Sequence, residues 1–364
     1  MLFRSVRRSP SDVASLHAVS GLGLRGKLRA FALAPLAALL LASTVGPAHT
    51  QTVTPDLAIT NGQVIIQALR DSVLYLGGSF SFVGPVTGAG VPVDSATALP
   101  TANFPIVNGI VLTAIPDGTG GWFIGGQFTA VGAQPRANIA RVLADGSISP
   151  WNPGATAAVR ALLLVGNTLH VGGDFLTLGG VARNRVGALD ASTGVTTAWN
   201  PDANASVRAL GASPTQIYIG GQFTTIGGQL RNRIAAVNTT TGGVVAGWDP
   251  NANNTVLCMV VDNVAGVVYI GGQFTFCNGV TRNRVAAIET ATGLVTDFNV
   301  GSNNSVFALV ATPSTLYVGG QFTIIGGQPR NRLAALSTLT GLALPWNPNA
   351  NNIVQALKIG RAHV

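Results

Sequence analysis

The 364-residue chain has few groups with which to do chemistry. Only 9% of its residues are charged, and between positions 51 and 357 there is no lysine, one glutamate (Glu289), one histidine (His170) and two cysteines (Cys258 and Cys277). Schiff-base chemistry, histidine relays and multi-histidine metal sites lack members before any motif is sought. The formal charge of +8 says little about partners, because it gathers at the ends: Arg4, Arg7, Arg8, Arg25, Lys27 and Arg29 near the start, Lys358 and Arg361 near the finish. Between 51 and 357 there are 13 cations and 12 anions, too near neutrality to draw nucleic acid or an acidic lipid surface.

Residues 1–50 read as a signal peptide. A basic stretch precedes the apolar run Ala30 to Ser43, which is followed by Gly46, Pro47 and Ala48, the order expected of a secretory signal with cleavage near Ala48 to Gln51. The run is interrupted by Pro35 and falls short of the roughly 20 residues that a permanent membrane anchor needs. No later run is long and apolar enough to span a bilayer. The expected localisation is therefore secreted or cell surface, with no membrane span after signal cleavage.

What the chain has in abundance is repetition. A glycine pair followed two residues later by phenylalanine occurs six times, with first glycines at Gly77, Gly125, Gly172, Gly220, Gly271 and Gly319, spaced by 48, 47, 48, 51 and 48 residues. Three further marks keep step with it. One is an apolar, any, small, apolar quartet: Ile66 to Leu69, Leu112 to Ile115, Val159 to Leu162, Val207 to Leu210, Val256 to Met259, Val306 to Leu309 and Val354 to Leu357. Another is the Arg-Asn-Arg triplet beginning at Arg183, Arg231, Arg282 and Arg330, loosened to Arg136-Ala137-Asn138. The last is an aromatic before Asn or Asp, at Trp151, Trp199, Trp248, Phe298 and Trp346, with Phe104 standing in for it in the first unit. A period this regular means one supersecondary unit copied along the chain.

Each unit divides into four short apolar runs between turn residues. In the fourth unit these are Val207 to Leu210, Gln216 to Phe223, Arg233 to Val237 and Val244 to Trp248. Such runs are too short for helices and are cut by Gly or Pro, so they predict strands. Four antiparallel strands in about 48 residues fit a propeller blade, and blades stacked face to face account for strands apolar on both sides. The predicted fold is all-β, a β-propeller occupying residues 51–357.

The run Arg136-Ala137-Asn138-Ile139-Ala140-Arg141-Val142-Leu143-Ala144-Asp145-Gly146-Ser147, leading to Trp151-Asn152-Pro153-Gly154, resembles the core of the delta-60 repeat, a β-propeller-like tandem repeat of bacterial secreted and surface proteins. The other units, with GGQFT, IGGQPRNRLAAL and WNPNAN, look like variants of it, so the resemblance covers roughly residues 55–357. It implies a secreted propeller, and it implies neither an activity nor catalytic residues.

The quartet Val354 to Leu357 opens a seventh unit whose GGxF is not present. Ile359-Gly360-Arg361-Ala362-His363-Val364 is the in-frame translation of a common sequencing adapter, so residues 358–364 read as a non-native tail on a chain expected to continue. Were six blades the native number, residues 53–60 would pair with the last blade to close the ring.

Among single residues, His170 stands where Tyr218, Tyr269 and Tyr317 stand in other units and reads as a packed side chain. Cys258 and Cys277 share one unit, and in an exported protein they are a possible disulfide, with two buried thiols as the alternative. The Asn-rich turns after each tryptophan resemble calcium loops in spacing but lack the glycine and the bidentate glutamate, so amides bonding their own turns explain them better. Arg185, Arg233, Arg284 and Arg332 are expected to stitch neighbouring blades, and the tryptophans to fill the space between blades. Recognition is expected where the units differ: Arg160, Arg208, Asp174 and the long first-unit loop Pro85 to Pro100.

These readings converge on a secreted or cell-surface binding or structural scaffold without catalytic activity, catalytic residues, cofactor or metal, whose partner is a protein or carbohydrate ligand and not nucleic acid. The alternative is an extracellular lyase or glycoside hydrolase of propeller type. That would require acids such as Asp174, Asp190 and Asp262 to gather in one channel face.

Overall fold

Short apolar runs between glycine turns satisfy their backbone groups by pairing with their sequence neighbours. A computed structural model, which describes residues 62–70, 73–80, 89–94, 100 and 104–358, shows, among those residues, no helix and six antiparallel sheets of three or four strands in chain order, each a blade. Each of blades 3 to 6 also carries a small two-stranded hairpin, Thr225–Ile226 with Gln229–Leu230 in blade 4. The signal-peptide region, residues 53–60 and the tail beyond 358 lie outside the described residues.

Each sheet has an inner, a middle and an outer strand. In blade 1 they are Gln63–Arg70, Val73–Ser79 and Gly90–Asp94, and in blade 2 Val107–Pro116, Trp122–Val131 and Ile139–Val142. Blade 3 has Val159–Val165, Thr168–Gly173 and Val186–Asp190; blade 4 has Val207–Ala212, Gln216–Gly221 and Ile234–Asn238. Blade 5 has Val256–Asp262, Val267–Gly272 and Val285–Glu289; blade 6 has Val306–Ala311, Thr315–Gly320 and Leu333–Ser337. The fourth run expected in every blade shrinks to a single bridge, Val237 with Val244 in blade 4 and Leu189 with Thr196 in blade 3. Pairing stops there because Arg231 takes the Ala246 carbonyl at 2.9 Å and the chain departs for the next blade.

The hydrophobic cores lie between blades. One joins Tyr218, Ile234 and Ala236 of blade 4 to Val256, Val268, Ile270 and Phe274 of blade 5, and the same arrangement recurs between blades 1 and 2, 2 and 3, 3 and 4, and 5 and 6. Each fully buried Val, Leu, Ile or Phe contributes roughly 1.5–3 kcal/mol, so a blade gains its stability from its neighbours. That is the physical reason the strands are apolar on both faces.

The glycine pair has two separate duties. A Cβ on the first glycine would meet the valine that opens the next blade's inner strand: Gly172 against Val207 at 2.5 Å, Gly220 against Val256 at 2.7 Å, Gly271 against Val306 at 2.7 Å. A Cβ on the second would strike the carbonyl of the residue just before its own inner strand: Gly173 against Ala158 O at 2.2 Å, Gly221 against Ser206 O at 2.1 Å. Between these two contacts the inner strand bulges by one residue, at Arg160 in blade 3, Arg208 in blade 4, Leu257 in blade 5 and Phe307 in blade 6. The same register corrects the quartets of the first two units. Val64 and Val111, not Ile66 and Leu112, take the opening position, so the bulged residues there are Ile65 and Leu112.

Val354 seats on Gly319 as its equivalents seat on theirs, with the Cβ-to-Val Cγ1 approach again 2.7 Å. The segment expected as a first-unit loop, Pro85 to Pro100, contains the outer strand Gly90–Asp94 and a bridge between Val93 and Pro100.

Candidate functional site

The recurrent polar motifs are largely spent on bracing single blades and on joining one blade to the next. The second arginine of each triplet adopts a left-handed backbone (Arg185 φ 65°, Arg233 φ 66°, Arg284 φ 67°, Arg332 φ 60°), uncommon for a side chain of this size. It is held there because its carbonyl accepts from the second glycine of its own blade, as Gly173 N–H to Arg185 O at 2.8 Å. The guanidinium folds back onto the same turn: Arg185 to the Asp174 carbonyl, Arg233 to the Gln222 carbonyl, Arg284 to the Gln273 carbonyl at 2.6 Å. Arg185, Arg233 and Arg284 therefore brace their own blades and do not stitch neighbours, whereas Arg332 donates to the Ala350 carbonyl of the outgoing connector at 3.2 Å.

The stitching is done by the Asn-rich connector. Asn184 donates to Asp202 at 2.7 Å and its carbonyl accepts from Ala203, while Asn204 accepts from Thr224 and Thr225 at 2.9 and 3.1 Å in the small hairpin of blade 4. Asn253 and Asn303 repeat this with Thr275 and Thr323. The amides bond the next blade's hairpin instead of their own turns. Among the described residues no three His, Cys, Asp or Glu side chains gather as a metal set.

The tryptophans do fill the space between blades. Trp151, Trp199 and Trp248 are buried against Phe123, His170 and Tyr218 at centroid separations of 5.2, 4.5 and 5.1 Å. Their indole N–H groups reach the following blade: Trp199 to Asn238 O at 3.1 Å and Trp248 to Glu289 O at 3.0 Å.

His170 is buried with neither ring nitrogen hydrogen-bonded, and burial pushes its pKa down to about 4. The native state thus holds fewer protons than the unfolded chain between pH 6.5 and 4, so this residue's contribution to stability falls as pH falls through that window. Replacing His170 with phenylalanine, the residue at the equivalent Phe123, is expected to remove a pH-dependent loss on the order of 2–3 kcal/mol. The check is a series of urea unfolding curves from pH 7.5 to 4. Parallel curves for the two proteins would show that His170 is not buried neutral.

The disulfide considered between Cys258 and Cys277 is not formed. Both thiols are free, and they point to different backbone carbonyls, Cys258 to Val306 O at 3.9 Å and Cys277 to Pro250 O at 3.2 Å. Burial pushes both thiols up, Cys277 to about 12, as for packed apolar side chains.

Three of the residues singled out for recognition come together. Arg160, on the blade 3 bulge, holds one oxygen of Asp174 from Nε at 2.8 Å and from its terminal nitrogen at 2.6 Å, while Ser206 of blade 4 donates to the other oxygen at 2.5 Å. Arg208, on the adjacent bulge, is close enough for its charge to act on Asp174 and to feel that of Arg160, yet its guanidinium has no hydrogen-bond or ion-pair partner among the described residues. Burial alone would raise the Asp174 carboxyl. The hydrogen bonds from Arg160 and Ser206 and the two positive charges outweigh it and hold the pKa below the usual carboxylate value. Burial, then the like charge of Arg160, depresses the Arg208 pKa.

No other blade has this arrangement. The place of Asp174 is taken by Ser79, Gln127, Gln222, Gln273 and Gln321, and the remaining bulges carry Ile65, Leu112, Leu257 and Phe307. A neighbouring groove of about 340 Å³, lined by Arg185, Asn184, Asp202 and Asn204, has these polar groups engaged with one another or with backbone. The acids whose convergence would favour an enzyme have separate local duties. Asp190 caps the turn at Ser192 and Thr193, and Asp262 the turn at Val264 and Ala265.

The fold and its repeat define the chain as a β-propeller. Two stretches, 116–148 and 216–239, match the family described as a domain of unknown function (DUF5122) beta-propeller. Among solved structures, the WD40 β-propeller domain of Doa1 is similar at a TM-score of 0.55 and 15% identity, covering 79% of this chain and 85% of that one. The computationally designed Ika8 protein is similar at a TM-score of 0.51 and 16% identity, covering 82% and 90%. No curated protein matches the chain.

Proposed function

We propose that this protein is a secreted or cell-surface β-propeller of the delta-60 type that serves as a binding scaffold for a protein or carbohydrate ligand and has no catalytic activity. The observation that carries the reading is the break in the repeat at Arg160, Asp174 and Arg208, a cluster that Ser206 completes. A rigid stack of near-identical blades has no structural need of a partly buried ion pair with a second arginine beside it that has no partner among the described residues, an arrangement seen there at one blade boundary. Side chains on rigid strands make precise recognition sites. Secretion rests on the signal-like residues 1–50.

The test is a thermal-shift panel of oligosaccharides, peptides and small organic acids on the full chain and on the double variant Arg160→Gln/Arg208→Gln. Stabilisation of the parent chain that disappears in the variant supports the reading. Stabilisation that persists in the variant overturns the assignment of the site, and conversion of any stabilising compound, read by chromatography, overturns the non-catalytic assignment.

A further inference from the structure

The cluster also constrains what it binds. Its charges are two guanidinium groups and one carboxylate, a local excess of one positive charge. Asp174 is fully used, with Arg160 on one oxygen and Ser206 on the other. Arg160 is used as well, since two of its nitrogens are committed to Asp174. Arg208 is not: it is partly buried, loses hydration there, and meets no hydrogen-bond acceptor among the described residues. Its Nε is buried without a partner and no bond engages its terminal nitrogens among the described residues, so a ligand supplying two acceptor oxygens in the guanidinium plane would satisfy it.

The bulge puts Arg208 in a defined neighbourhood. Inner strands of consecutive blades lie against one another, and the bulged position is occupied by Leu112 in blade 2, Arg160 in blade 3, Arg208 in blade 4 and Leu257 in blade 5. Leucine therefore flanks the arginine pair on both sides along the row. A dianion would overshoot the single positive charge and be repelled by Asp174, and a bare small anion would leave the flanking leucines without contacts.

We infer that Arg208, backed by the Arg160–Asp174 pair, is a receptor for a monocarboxylate carried on an apolar body, with the carboxylate on the guanidinium and the apolar part along the leucine-flanked row of bulges. The inference rests on the cluster being the recognition site.

Isothermal titration of the full chain with phenylacetate, phenylacetamide, galacturonate and inorganic phosphate tests it. Phenylacetate is expected to bind at least tenfold more tightly than each of the other three, and Arg208→Gln to weaken it at least tenfold. Arg208 holds no other group among the described residues and its charge is unfavourably placed without ligand, so the variant's unfolding midpoint, read by circular dichroism, should be no lower than the parent's. Arg208→Lys should recover only part of the affinity, because an ammonium cannot pair both oxygens in a plane. Phenylacetamide binding as well as phenylacetate overturns the role of charge. Phosphate binding as well overturns the choice of a carboxylate, and galacturonate binding as well overturns the apolar body. Unchanged phenylacetate affinity in Arg208→Gln overturns the whole inference. If none of the four probes binds while other members of the panel stabilise the chain through Arg160 and Arg208, this inference fails and the recognition site itself stands.

Discussion

Gly221→Ala is expected to destabilise the protein by more than about 3 kcal/mol, although the same change at an unobstructed strand position usually stabilises by about 0.5–1 kcal/mol. Its backbone is ordinary, so conformational strain is not the reason. A Cβ there would lie 2.1 Å from the Ser206 carbonyl oxygen and 3.0 Å from the Val207 Cα, both main-chain atoms. That carbonyl cannot swing aside, because it already accepts the Gln222 N–H at 2.8 Å, the bond that closes the bulge bearing Arg208. Overpacking against a side chain costs roughly 1–3 kcal/mol, and against a fixed backbone the cost lies at or above the top of that range. Gly228→Ala is the control. Nothing lies within 4 Å of a Cβ there, and only its φ of 72° opposes the change, a penalty of about 1–2 kcal/mol. Urea midpoints of the two variants should separate clearly. Equal midpoints would mean that the glycine pair is not held by close approach.

Trp248→Ala should cost about 3–5 kcal/mol, while the same change at Trp346 should cost no more than about 1. The two residues are equivalent by repeat and differ in how far they are buried. Trp248 is 1% exposed, packs on Tyr218 and donates to Glu289 O of the following blade. Trp346 keeps its own-blade partner, Tyr317 at 5.4 Å, but is 45% exposed. If the tryptophans acted within their own blades, the two losses would be alike. A large difference in thermal midpoint assigns their stabilising effect to the junction with the next blade.

Much of this was legible in the sequence, for a reason visible in particular residues. The GGxF, Trp-Asn-Pro and valine marks are strong local patterns repeated at a fixed period, and the close contacts of Gly220, Val256 and Trp248 show why each type is required there. Periodicity establishes which residues are equivalent; it does not say what they touch. Arg233 folds back on its own turn while Asn204 crosses to the next blade, and both are merely polar residues in a repeat until the path of the connector is known. The register of the first two units was misread because Ile66 and Leu112 imitate the apolar opening of the quartet, and only the bulge pairing identifies Val64 and Val111.

The recognition cluster shows the same division. Arg160, Asp174 and Arg208 stood out as departures from the repeat, but Asp174 meets Ser206 across 32 positions of chain, a contact that exists only because blade 3 stacks on blade 4. The sequence by itself determined the all-β class, the period, the blade count among the described residues and the glycines and aromatics that allow stacking, since all of these follow from local sterics and apolar burial repeated along the chain. Tertiary structure alone decided which arginines are spent on backbone carbonyls, which thiols stay apart and which guanidinium is left unpaired. Those outcomes depend on hydrogen-bond geometry between segments that composition and spacing do not place together.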